Sequence, residues 1–239
     1  MARKNGGIIG PANIPTGAFG SAPGVWSLAE AEKYIKEGRW PVVTSGFQVA
    51  NSCRFNDDST DYLTRTPASA GNRQKFTISF WIKRANILSS NMQIMTAGTY
   101  SSGNNISNLG IRNTGELYVS GGVYGVSTDF NSDSIALLRD SSAWYHFVVA
   151  FDTTQATETN RLKVYQNGVL QSQDGLSGNA SYKYPSLNFS TAFNNNVAQT
   201  IGTVNNFFTE DLDGYLSEFV MIDGQQLDET SFGETDATT

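Results

Sequence analysis

Cysteine is almost missing from this chain. Cys53 is the one cysteine among 239 residues, so no internal disulfide forms and a disulfide-stapled secreted scaffold is excluded. Histidine is equally scarce, with His146 alone. No stretch approaches the roughly 18 uninterrupted apolar residues of a membrane span, so no membrane insertion is expected. The opening Met1 to Gly10 lacks an apolar core segment, and no secretory signal is expected from it. Charge is sparse at 16% and unevenly spread. Residues 205–239 hold nine acids and no base, whereas residues 1–41 hold five bases and three acids. The net charge of −6, with no basic stripe, argues against a nucleic-acid partner. The opposed signs of the two ends suit pairing between copies of the chain, or a simple solvated acidic end.

What the chain does have is glycine, 23 residues of it, and short β-rich runs between polar turns. A chain of this length buries roughly 70–75% of its unfolded surface, enough for one large all-β domain. Trp144 to Asp152 is β-branched and aromatic. Arg161 to Gln166 alternates, with Leu162 and Val164 on one face and Arg161, Lys163 and Tyr165 on the other. Asn167-Gly168 follows, a strong hairpin signal because both turn residues accept φ > 0. Phe76 to Lys83 places Phe76, Ile78, Phe80 and Ile82 on one face and Trp81 on the other. Further strands are expected around Phe47–Phe55, Met92–Thr96, Leu109–Arg112, Leu117–Ser120, Thr200–Thr203 and Tyr215–Ile222. Their spacing suggests an antiparallel sandwich or jelly roll. Asp228 to Phe232 reads as one helical turn.

The first 45 residues differ from the rest. Gly and Pro punctuate residues 5–25, which reads as an extended arm. Ser27 opens a short helix as a capping box with Glu30, and Glu32 and Lys36 form an i,i+4 pair. Ile8, Ile9, Ile14, Phe19 and Trp26 are apolar residues on that arm. They need cover, so the arm is expected to pack on another subunit, in a homo-oligomer. The organisation expected is an anchoring arm and short helix at 1–45, a sandwich at 46–233 and an acidic tail at 234–239.

Reactive groups are few. His146 lies inside a strong strand and reads as a packed histidine with one hydrogen bond. Cys53 reads as a buried, inert thiol. No Glu-x-Asp-x-Glu strand presents the paired carboxylates a glycosidase needs, and Glu210 to Asp213 is a weak substitute. No catalytic residue is therefore assigned. Asp57, Ser59 and Asp61 have the spacing of a calcium-loop start, but Tyr62 and Ala68 occupy the required Gly and Glu places, which excludes an EF-hand. Asp57, Asp58, Asp152, Asp211 and Asp213 remain calcium candidates, with solvated turns as the plainer reading. No other cofactor is implied. Aromatic residues in polar segments are the better signal, because sugars stack on such rings. Tyr100, Tyr124, Tyr182, Tyr184, Phe207 and Phe208 are the glycan-binding candidates. Phe130 and Phe193 sit in similar segments, and each ring has packing on the core as its alternative.

Four runs together carry a resemblance: Phe76 to Lys83, Trp144 to Asp152, Leu162 to Val169, and Leu212 to Leu227. They resemble a laminin-G/concanavalin A-like lectin domain spanning about 46–233. The resemblance implies a jelly roll of two antiparallel sheets in which the first and last strands pair. It also implies glycan or protein binding at loop rims, with calcium in some members. Gly6 to Pro11, Gly24 to Leu28 and Gly38 to Pro41 are similar to the start of virion proteins of tailed, marine-type bacteriophages. That likeness implies a tail-fibre or related structural protein, assembled in the host cytoplasm, exposed on the virion and in contact with host glycans. A capsid decoration protein has the same plan, and a glycan depolymerase is the enzymatic alternative. Similar phage chains run on past the segment matching Phe232 to Thr239, which leaves a further domain open.

Overall fold

Asn167 and Gly168 both adopt positive φ, 50° and 77°, and they fold Leu162–Gln166 (β9) back against Val169–Leu170 (β10) as the Asn-Gly signal requires. The same logic of short strands and glycine-bearing turns runs through the rest of the chain. The computed structural model describes residues 28–37, 51–59, 61–86, 90–171, 183–204 and 210–233. The chain divides into two units, Met1–Ala50 and Asn51–Thr239.

In the first unit the described residues form one helix, Leu28–Lys36 (α1). Lys36 Nζ donates to Glu32 Oε1 at 2.6 Å, the anticipated one-turn pair. Both carboxylate and amine are exposed, so this contributes only a few tenths of a kcal/mol. The arm residues Ile8, Ile9, Ile14, Phe19 and Trp26, and the capping residue Ser27, lie outside the described residues.

The second unit holds the remaining strands: Cys53–Phe55 (β1), Leu63–Arg65 (β2), Lys75–Arg84 (β3), Met92–Ala97 (β4), Asn105–Ile111 (β5), Glu116–Val123 (β6), Ser127–Leu137 (β7), Tyr145–Asp152 (β8), Gln199–Ile201 (β11) and Gly214–Asp223 (β12). They form two six-stranded sheets. Sheet I has the order β1-β12-β3-β8-β9-β10, and sheet II has the order β2-β11-β4-β5-β6-β7. Every pairing is antiparallel. The fold is the two-sheet antiparallel sandwich expected from the strand pattern. β1 lies beside β12, with Cys53 opposite Leu216 and Phe55 opposite Gly214, so an early strand pairs with the last one.

Alternation buries one face of each sheet against the other. Phe76, Ile78, Phe80, Ile82, Phe147, Val149, Phe151, Leu162 and Val164 come from sheet I, and Met92, Leu109, Ile111, Leu117, Val119 and Phe130 from sheet II. Phe151 is the centre of the aromatic contacts. Its ring stacks on Phe76 at 4.7 Å, meets Phe130 edge-on at 5.7 Å across the sheets, and approaches Phe193 at 6.5 Å. Burying each such ring contributes roughly 1.5–3 kcal/mol. Two residues assigned to polar loops on sequence grounds are thus core residues: Phe130 lies on the inner face of β7, and Phe193 plugs the sandwich ahead of β11.

β7 itself and β2 have no counterpart among the expected strands. Cys53 is exposed rather than buried. It shares the parity of Phe55, but β1 is a three-residue edge strand, and only Phe55 reaches the core.

Candidate functional site

The two outer faces of the sandwich are dressed differently. On sheet I the segment Gly224–Gln226 and Leu227 lies across the strands. Thr77 Oγ1 donates to Gln225 O and accepts from the Leu227 amide, both at 2.8 Å, and Gln226 Nε2 donates to Asn160 O at 2.8 Å. Beyond this strap the face carries rings. Trp81 and His146 are cross-strand partners with centroids 4.8 Å apart, and Trp144 and Tyr215 lie 6.4 Å apart. His146 Nε2 sits 2.9 Å from Ser79 Oγ, the single packed hydrogen bond anticipated for it. Burial lowers its pKa.

Sheet II has polar side chains on its outer parity instead, Thr96, Thr200 and Asn108 among them buried. The register aligns Thr64, Thr200, Thr96, Asn108, Ser120 and Asn131 in one row across all six strands. Strand alternation then keeps this row on the face opposite Leu109, Val119 and Phe130. Gly122 continues the outer face beside Ser120, opposite Ile106 and Thr128. With no side chain there, β7 closes in on β6, and the Ser127 carbonyl oxygen takes the space a Cβ would fill. A groove of about 590 Å³ lies on this face, floored by Asn108, Ser120, Gly121, Gly122 and Asn131, and walled by Arg112, Tyr124, Val126 and Thr128. Its size falls in the range of small-molecule and glycan sites.

The groove walls are held in place by a hydrogen-bonded network. Arg112 lies over the Tyr118 ring, 3.9 Å from its centroid. Its Nε donates to Asp133 Oδ1 at 3.1 Å and its Nη2 donates to Asn131 Oδ1 at 2.9 Å. Gln93 Nε2 donates to the Tyr118 hydroxyl and, at 2.9 Å, to Glu210 Oε2. Tyr100 donates to Asn108 Oδ1 at 2.5 Å and meets Tyr124 edge-on at 5.2 Å. Burial, followed by the nearby Glu210 carboxylate, raises the pKa of both Tyr100 and Tyr118, so both phenols stay protonated donors at ordinary pH.

Of the residues anticipated for glycan contact, Tyr124 lines this groove and Tyr100 supports it. Tyr184 follows Lys183, whose backbone bridges to Asn131 of β7 and whose Nζ donates to Thr128 O at 3.0 Å. Tyr182, Phe207 and Phe208 lie outside the described residues. Asn108, Arg112, Ser120 and Asn131 were not anticipated. No single segment announces them, because they meet only through the register of β5, β6 and β7.

The five calcium candidates are dispersed. Asp152 accepts from Lys75 at 3.1 Å, Thr154 at 2.5 Å and Gln155 at 2.9 Å. Burial opposes its charge, yet these donors outweigh burial and its pKa is lowered. Asp213 pairs with Arg54 at 2.6 Å, and Asp211 accepts from Thr203. Asp57 and Asp58 lie in the turn after β1. Among the described residues no three His, Cys, Asp or Glu side chains are grouped to hold a metal ion. Two further clefts of about 620 and 420 Å³ open between the sheets at the β1 and β2 edges and share Leu63, Ile201 and Phe219. The smaller is mainly apolar, whereas the larger also presents Arg65, Asn194, Gln199 and Asp223. Among the described residues no helix is long and apolar enough to cross a membrane.

An antiparallel two-sheet sandwich with a polar groove on one outer face is a lectin-type architecture. The family model described as the concanavalin A-like lectin/glucanases superfamily matches residues 57–227, and the chain belongs to that superfamily. No curated protein sequence matches the chain. Among solved structures, the chain is similar to a heptameric SAP-like pentraxin from Limulus polyphemus, at 15% identity and a TM-score of 0.48, over 71% of this chain and 73% of that one. It is also similar to the CBM40 of a Ruminococcus gnavus IT-sialidase, at 12% identity and a TM-score of 0.43, over 71% of this chain and 95% of that one. A botulinum neurotoxin type C structure is similar at 18% identity and a TM-score of 0.43, over 67% of this chain and 35% of that one.

Proposed function

We propose that this chain is a non-enzymatic glycan-binding protein of a virion surface, of tail-fibre or appendage type. The sandwich binds glycan in the groove of sheet II, and residues 1–45 serve attachment to the particle or to sister subunits. The observation that carries the binding half is the groove itself. A row of fixed amide and hydroxyl groups lies beside the Tyr124 ring, and that combination meets both the hydroxyls and the apolar ring face of a sugar. The virion half is supported by the likeness of Gly6 to Pro11, Gly24 to Leu28 and Gly38 to Pro41 to phage virion proteins. The absence of catalytic assignment rests on chemistry: Asp213 is committed to Arg54 and Asp211 to Thr203, so neither is poised as acid or nucleophile.

The test is binding of the purified chain to immobilised oligosaccharides, compared with Tyr124→Ala and Asn108→Ala. Both variants are expected to weaken binding, Tyr124→Ala by about fivefold, while Trp81→Ala on sheet I retains full affinity. Affinity unchanged in both groove variants, or sugar release that vanishes with Asp211→Ala, overturns the reading.

A further inference from the structure

Arg112 is the one charged side chain among the described residues lining the groove. Three contacts fix its guanidinium: the Tyr118 ring beneath it, Asp133 against Nε and Nη2, and Asn131 against Nη2. Nη1 has no hydrogen-bond partner among the described residues. The Asp133 carboxylate is only 4% exposed and is turned to Arg112, so it does not present its charge to the groove. A second cation, Lys183, is exposed and held at the Thr128 wall. The groove thus offers a rigid fork and a nearby ammonium, with no opposing acid among its described lining residues. Ordering the fork in advance removes the entropy cost that a free arginine incurs on binding an anion.

Building on the proposed glycan reading, we infer that the groove selects glycans bearing a carboxylate or sulfate group, with Arg112 Nη1 as the donor that meets it. The whole-chain charge of −6 narrows this class further. A dense polyanion is repelled over the Debye length of roughly 10 Å at 0.1 M salt. A glycan with spaced acidic groups gains the local contact and suffers little of that repulsion.

The experiment compares three hexasaccharides by calorimetry: mannohexaose with one residue oxidised to the uronate for carboxylate, mannohexaose bearing one sulfate ester for sulfate, and neutral mannohexaose. The native chain is expected to bind at least one acidic hexamer about tenfold more tightly than the neutral one, with the preference shrinking as salt rises. Which acidic hexamer binds separates carboxylate from sulfate recognition. In Arg112→Gln the preference is expected to vanish. Because that variant takes the Arg112 guanidinium away from the buried Asp133 carboxylate, the double variant Arg112→Gln/Asp133→Asn is measured beside it, and it is expected to fold and show no preference. A neutral hexamer bound as tightly as the acidic ones, through Tyr124 and Asn108, overturns this inference and leaves the glycan reading standing. No binding of any hexamer overturns both.

Discussion

The two sheets share one core, yet their outer faces have opposite character. Sheet I is closed over by the strap at 224–227 and shows rings where it is open, Trp81 at 36% and Trp144 at 38% exposure. Sheet II has glycine, hydroxyl and amide positions and a charged fork. The difference lies in which residues occupy the outward parity of each strand, since the inward parity is mostly apolar in both. Stability therefore belongs to the common interior, and the proposed recognition to one exterior.

The largest effect tests the common interior. Phe151→Ala removes the ring that touches Phe76, Phe130 and Phe193. It is expected to cost about 3–5 kcal/mol, measured by urea unfolding, and to impair both faces together. If sheet II unfolds separately from sheet I, the shared-core picture fails. Next in size is Arg112→Gln, which takes the Arg112 guanidinium away from the buried Asp133. A loss of about 1–3 kcal/mol is expected, largely restored by adding Asp133→Asn. A double variant no more stable than the single one breaks the assigned pairing.

Smaller still is Tyr124→Ala, expected to weaken glycan binding by about 1 kcal/mol, or about fivefold, with little change in unfolding midpoint. Trp81→Ala is its control on sheet I, and equal loss from both removes the distinction between the faces. The smallest effect concerns His146 on sheet I. Its pKa is lowered from 6.5 by burial, so the unfolded chain takes up the proton first. Stability is full above that value and declines as pH falls through it towards the lowered folded value. His146→Gln is expected to flatten this decline in a melting series between pH 7.5 and pH 5, a range of about one unit or more on either side of the ordinary value. An unchanged slope removes His146 as its source.

Much of sheet I was legible from residue type. β3, β8 and β9 are runs of β-branched and aromatic residues, and Asn167-Gly168 marks its turn directly. β7 was not legible, because its inward positions Ser132 and Ser134 are polar and buried, leaving Phe130 to signal a core face alone. A strand of Ser, Asp and Asn reads as loop until its partners are known, and the aromatic residues near it were read as loop residues for the same reason. The groove suffered twice from this. Its floor lies on β5 to β7, and its chemistry depends on Arg112, Tyr118 and Asp133 meeting across three strands. Only Tyr124 and Tyr100 announced it. Cys53 shows the converse, since alternation gave it the parity of Phe55 but could not reveal that β1 stops at the sheet edge.

The placement of β12 has a consequence for the order in which a ribosome delivers the chain. It is the last strand in chain order among the described residues, yet it lies between β1 and β3. Until Gly214–Asp223 has emerged, β3 has β8 on one side and nothing on the other. During that interval the nascent chain presents an unpaired edge on a strand that carries Phe76, Phe80 and Trp81, the kind of edge that recruits other chains. Protease protection of residues 75–84 on stalled ribosomes is accordingly expected to appear late, when β12 clears the exit, and not when β8 does.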